Sequence, residues 1–215
     1  MNVTKEKKAV LFDLDGTLWD SVPQLLEVYN KVLERNPAAG HILTLEELRS
    51  FMGKNRAALA AAVFPLADPE TQDRLVGECF EEEMPWLYAN HATPFPHLRE
   101  TLEALSGKYT LAVVSNCQSG YIELFFDTMG VGEFFADHEC ADTGLSKGEN
   151  IRLVMERNGF DKAFYLGDTL GDMEAADRAG LTFVHAAYGF GKPNRETLAI
   201  QSLAELPALA ERLLG

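Results

Sequence analysis

The sequence predicts an α/β fold: a parallel sheet covered by helices on both faces, with an α-helical domain inserted after the first strand. Three observations lead there. Short apolar runs are continuous rather than alternating, as in strands buried on both faces. The later runs alternate with helical segments, each stopped by a glycine. And about ninety residues lie between the first run and the next, where a parallel crossover needs only a dozen or so.

The strands are read at Ala9–Phe12, Thr110–Val114, Phe134–Ala136, Ala163–Leu166 and Leu181–Val184. Between them, Tyr121–Met129 is followed by Gly130, Glu149–Asn158 by Gly159 and Asp172–Ala179 by Gly180, where a left-handed C-cap belongs. The long interval reads as four helices, Pro23–Arg35, Leu45–Phe51, Arg56–Phe64 and Pro69–Tyr88. Thr44 with Glu47 forms a capping box, and Asp68-Pro69 supplies an N-cap with proline in the first helical position. Asp20-Ser21-Val22-Pro23 and Thr93-Pro94-Phe95-Pro96 read as the outgoing and returning hinges. The expected division is a core of residues 1–20 and 93–215 and a helical cap of residues 21–92. Glu81-Glu82-Glu83 reads as a solvated helix face, and Phe80 and Trp86 on the same helix as cap core.

Composition narrows the function. The chain has 215 residues, 47% hydrophobic and 24% charged, ordinary for a folded domain. A net charge of −14 argues against a general nucleic-acid or anionic-membrane surface, so an anionic ligand needs a local cluster of positive groups. Lysines at 5, 7 and 8 precede an apolar run that stops at Asp13, too short for a signal-peptide core. Cys79, Cys117 and Cys140 form no C-x-x-C pair and read as reduced thiols. A cytoplasmic location is the expectation. The five histidines show no metal-ligand spacing and read as structural.

Chemistry is concentrated at strand ends. AVLFDLDGT closes a buried strand with Asp13 and Asp15, which project to one side because side chains alternate. FYLGDTLGD repeats the form with Asp168 and Asp172, and LAVVSN ends in Ser115 and Asn116. Ligand crevices of α/β sheets lie at the carboxyl ends of strands. One aspartate after a strand is ordinarily a turn or helix cap, and Asp168 or Thr169 could be only that. Several carboxylates in one crevice are another matter. Two unit charges ~4 Å apart repel by roughly 4 kcal/mol at an effective dielectric of about 20, so the cluster calls for a cation. Hard oxygen ligands suit Mg²⁺. No G-x-G-x-x-G follows the first strand, which disfavours a dinucleotide-binding dehydrogenase.

These motifs, Asp13-x-Asp15-Gly16-Thr17, Ser115-Asn116, Lys147 and Gly167-Asp168-Thr169 with Asp172, resemble in type and order the four motifs of the haloacid dehalogenase superfamily, whose core is Rossmann-like. The position of the helical insert resembles the phosphoglycolate-phosphatase-like branch. That resemblance implies Mg²⁺-dependent hydrolysis of a small phosphorylated metabolite. Asp13 would be the nucleophile that forms an aspartyl-phosphate, and Asp15 the proton carrier. Asp13, the Asp15 backbone carbonyl and Asp168 would hold the metal, with Asp172 ligating through water or orienting the others. Ser115 and the Asn116 amide would bind phosphate, and Lys147 would balance its charge. Many relatives have Gly-Lys-Pro where this chain has Ser146-Lys147-Gly148. Lys54 and Arg56, in the FMGKNRAAL segment between two cap helices, are the candidate substrate contacts from the cap. Trp19 is expected to line the seam between core and cap. A phosphosugar mutase shares these motifs, and a phospho-accepting receiver domain uses similar groups but lacks the helical insert.

Overall fold

The computed structural model describes residues 6–215; Lys5 and the first residues of the expected core lie outside the described residues. In chain order the elements are β1 (Lys8–Phe12), β2 (Trp19–Asp20), α1 (Val22–Arg35), α2 (Leu45–Phe51), α3 (Arg56–Val63), α4 (Pro69–Ala89), β3 (Thr93–Pro94), α5 (Leu98–Ser106), β4 (Thr110–Val114), α6 (Tyr121–Met129), β5 (Phe135–Glu139), α7 (Lys147–Asn158), β6 (Lys162–Gly167), α8 (Leu170–Ala179), β7 (Thr182–Ala186), β8 (Leu198–Ile200) and α9 (Leu206–Leu214).

The main sheet is parallel throughout, in the order β5-β4-β1-β6-β7-β8. Strand β1 sits between β4 and β6, with Phe12 level with Val113 on one side and Leu166 on the other. The chain therefore leaves three adjacent strands at the same edge, where a crevice opens at the switch in strand order. Period-two alternation divides β1 between two cores. Val10 and Phe12 face one that includes α5, α6 and α9, while Ala9 and Leu11 face the other, built with α7 and α8. The first core runs on without a break into α1 and α4 of the helical insert.

The expected hinges pair with each other. Strands β2 and β3 form a two-residue antiparallel ribbon, Trp19 opposite Pro94 and Asp20 opposite Thr93. Arg49 of α2 adds an ion pair to Asp20 at 2.7 Å. Glycine C-caps stand after α6, α7 and α8, each with positive φ, as the spacing predicts.

Three readings need correction. Helices α5 and α9 and strand β8 are not predicted by the sequence: α5 follows His97, a left-handed non-glycine residue, and neither helix has a capping side chain to signal its start. The Glu81–Glu83 run is not a uniform solvated face, because Glu83 turns inward and is 2% exposed. Nor is Phe80 simply cap core, since it lines the cleft described below.

Candidate active site

Asp13 and Asp15 follow β1 directly, and Asp13 N–H donates to the Leu166 carbonyl at 2.8 Å, so the sheet ladder extends into the site. Carboxylate oxygens of Asp13, Asp168 and Asp172, all buried, lie within 4.8 Å of one another. Lys147, the first residue of α7, places its ammonium 2.6 Å from Asp13 Oδ1 and also bonds Asp172 Oδ1. Burial works against this ammonium, but Asp13 and Asp172 hold it well above the usual lysine range. Each carboxylate is fixed differently. Asp168 Oδ2 accepts from the backbone N–H groups of Phe190 and Gly191 at 2.7 and 3.2 Å. Its Oδ1 is buried without a hydrogen-bond partner among the described residues. Asp172 Oδ2 completes the capping box of α8, accepting from Asp168 N, Thr169 N and Thr169 Oγ1. Both Asp172 oxygens are thus occupied by protein donors, which fits an orienting role.

The Asp15 carboxylate stands apart from the trio. Its Oδ1 accepts from Trp19 Nε1 at 2.9 Å, Ser21 Oγ at 2.5 Å and Tyr121 OH at 3.1 Å. Trp19 is therefore a fully buried core residue that orients Asp15 rather than a side chain lining a seam. Burial pushes Asp15 up to about 6, against the hydrogen bonds from Ser21, Tyr121 and Trp19. Burial and then Asp172 push Asp13 up to about 7, against the pull of Lys147. Burial, with Asp172 and Asp13, raises Asp168 well above the usual carboxylate range. Crowded, buried carboxyls and an orphaned buried oxygen fit a site for a cation. The donor set, all oxygen, suits Mg²⁺.

The opposite wall comes from the helical insert. Gly53, between α2 and α3, accepts a hydrogen bond from Asn116 Nδ2 at 2.9 Å, so the insert rests directly on the core. Asp13, Asp15, Ser115, Asn116, Lys54 and Arg56 line one cleft with a free volume of only ≈ 50 Å³. Arg56 is already engaged: it pairs with Asp73 at 2.7 Å, and its guanidinium lies over the Phe80 ring. Lys54 enters no ion pair among the described residues.

The family model for haloacid dehalogenase-like hydrolases matches residues 10–186. The chain belongs to this family. The phosphoglycolate phosphatase of Pseudomonas savastanoi pv. phaseolicola is 31% identical over 206 residues, covering 89% of this chain and 74% of its own. That of Agrobacterium fabrum is 28% identical over 224 residues, covering 95% and 93%. A haloacid dehalogenase-like hydrolase from Streptococcus pneumoniae has the same fold, with a TM-score of 0.83 at 20% identity, covering 94% of this chain and 98% of that one. As a hydrolase of this family, the chain has a cleft whose remaining residues need explaining.

Sequence reasoning missed the loop after β7. Tyr188 OH donates to the Thr17 carbonyl at 2.8 Å, and Phe190 and Gly191 hold Asp168. A Cβ on Gly189 would lie 2.3 Å from Asp168 Cβ and 2.4 Å from the Gly16 carbonyl oxygen, so only glycine fits. The glycines in YGFGK were the available signal. Also missed were Tyr121, Tyr29, Gln118 and Glu83, all lining the cleft.

Proposed function

We propose that this phosphatase hydrolyses small phosphate monoesters with Mg²⁺ bound, through a phosphoryl group carried on Asp13. The observation that carries the reading is the buried Asp13–Asp168–Asp172 cluster, with Lys147 on Asp13 and Asp168 Oδ1 left unpaired. Asp13, Asp168 and the Asp15 carbonyl would hold the ion and Asp172 would orient the set; bound there, Mg²⁺ supplies positive charge that lets an anionic nucleophile approach an anionic ester.

The chain's own groups do the rest. Asp13 attacks phosphorus, the bond to the leaving oxygen breaks, and Asp15 delivers a proton to that oxygen. Asp15 then takes a proton from the water that attacks the phosphoryl-Asp13 bond at phosphorus, and phosphate leaves. Its elevated pKa of about 6 suits a group that must both give and take a proton near neutrality. Ser115 and the Asn116 amide hold phosphate oxygens, and Lys147 offsets charge on the phosphoryl group. Residues 21–92 act as a cap that closes over residues 1–20 and 93–215, excluding water; the Asn116–Gly53 bond supports this. Lys54 is the cap cation placed to meet substrate. The relatives' activity makes phosphoglycolate the first ester to try.

The test is phosphate release from p-nitrophenyl phosphate with Mg²⁺ and after EDTA. Activity should vanish with the metal and in Asp13→Asn. Turnover that survives either change overturns the reading.

A further inference from the structure

Glu83 is a carboxyl that the reaction above does not use. It projects from α4 into the cleft that holds Asp13 and Asp15, and it is 2% exposed. Gln118, in the loop between β4 and α6, donates its side-chain amide to Glu83 Oε1. Oε2 is buried and makes no hydrogen bond of normal geometry among the described residues; the Tyr29 hydroxyl is the polar group that acts on this carboxyl besides Gln118, and no cation pairs with it. A buried carboxyl oxygen left unpaired costs stability, and such groups in native proteins ordinarily have a function that repays it. Glu83 itself lines the space a substrate must enter.

We propose that Glu83 reads the leaving group: its Oε2 pairs with a hydroxyl on the alcohol half of the ester, so the cleft favours short hydroxylated phosphate monoesters over those ending in a carboxylate. This rests on the phosphatase reading and narrows it. The phosphoryl end is fixed by Asp13 and Ser115, and the leaving oxygen by Asp15. Glu83 lines the same cleft as Asp15, the group that serves the departing alcohol. The cleft is small, with ≈ 50 Å³ open to the centres of water-sized groups, which favours a short alcohol half.

Chemistry sets the polarity. A hydroxyl both donates and accepts, so it satisfies Oε2 whether the carboxyl is ionised or protonated. A terminal carboxylate only accepts: it is repelled by Glu83 when that group is ionised and bonds it only when it is protonated, so it matches fewer states of the site than a hydroxyl does. Arg56, which could have compensated, is held by Asp73. Burial pushes Glu83 up to about 8, consistent with a carboxyl that has no cation beside it.

The experiment compares kcat/KM for 2-hydroxyethyl phosphate, ethyl phosphate and phosphoglycolate, in the wild type, Glu83→Gln and Glu83→Leu. Hydroxyethyl phosphate should exceed ethyl phosphate by about tenfold in the wild type, the worth of one buried hydrogen bond. That ratio should collapse to within about twofold in Glu83→Leu and survive in part in Glu83→Gln. Phosphoglycolate should fall below hydroxyethyl phosphate. Because each ratio is taken within one protein, a uniform loss of activity cancels. A hydroxyl with no effect in the wild type overturns the proposal, even if Glu83→Leu does not fold. So does a hydroxyl preference that persists without Glu83, or equal losses on both esters, which would make Glu83 only a latch to Gln118. A preference for phosphoglycolate that depends on Glu83 also overturns it, in favour of a protonated carboxyl donating to a carboxylate. Hydrolysis of p-nitrophenyl phosphate separates the two levels. If the wild type hydrolyses it and the hydroxyl is neutral, only the Glu83 assignment fails; if it does not, the phosphatase reading fails.

Discussion

Lys147 Nζ lies 2.6 Å from Asp13 Oδ1, although 134 residues separate them in the chain. The contact forms because β1 is central in the sheet and α7 begins at the same edge. The ammonium also bonds Asp172 and is 7% exposed, so one lysine ties together two of the three clustered carboxylates.

Replacing Lys147 by Met should reduce kcat by at least about a hundredfold, because charge on the phosphoryl group loses a preorganised partner. It should also destabilise the metal-free protein by about 3–5 kcal/mol, as when one partner of a buried ion pair is removed. Mg²⁺ should recover much of this. Thermal unfolding with and without Mg²⁺ measures it, and the variant should show the larger rise in Tm.

Asp168 offers the unpaired oxygen, so Asp168→Asn should abolish the Mg²⁺-dependent rise in Tm expected of the wild type. Calorimetric titration with Mg²⁺ gives the same answer independently of turnover. A variant that binds Mg²⁺ as tightly as the wild type would remove Asp168 from the metal site.

Asp15→Asn should discriminate between leaving groups. If Asp15 supplies the proton to the leaving oxygen, esters of weakly acidic alcohols should lose about 10²–10⁴-fold. p-Nitrophenyl phosphate, whose leaving group departs as an anion, should lose less. Equal losses would point to a positioning role for the carboxylate that Trp19, Ser21 and Tyr121 hold.

Gly189→Ala puts a methyl group 2.3 Å from Asp168 Cβ, and backbone on the other side leaves no room to yield. Overpacking of this kind costs about 1–3 kcal/mol. The distinctive readout is Mg²⁺ affinity, which should fall because Asp168 is the atom group displaced.

Glu83 predicts a pH dependence of stability. Its folded pKa, about 8, lies above the ordinary glutamate value of 4.5, so the folded state binds the extra proton between those limits. Its contribution is therefore full below about 4.5 and is lost as pH rises towards 8. Glu83→Gln removes that loss, and should be more stable than the wild type at pH 9 by about 1 kcal/mol or more, with little difference at pH 5. Denaturant unfolding at the two pH values checks it.

Much of this was legible in local sequence. Continuous apolar runs mark the buried strands, glycines mark the ends of α6, α7 and α8, and the Thr44–Glu47 box marks α2 at its true first residue. These signals work because they depend on residues within a turn or a strand of each other. The acidic motifs were legible for the same reason: each sits on a strand end whose edge is set by β topology.

Tertiary structure alone decided the rest. Nothing near position 83 distinguishes Glu83 from Glu81 and Glu82; only the packing of α4 against α1 and α6 turns it inward. The loop that holds Asp168 does so with backbone N–H groups, which every residue but proline carries, so only Gly189 and Gly191, where a Cβ has no room, hint at it in residue types. Trp19 serves Asp15, which accepts its indole N–H, a contact that no residue near position 19 signals. The sequence by itself determined which strand ends carry charge. Their convergence, and which oxygens remain unsatisfied there, came from contacts between residues far apart in the chain, whose energies no local pattern records.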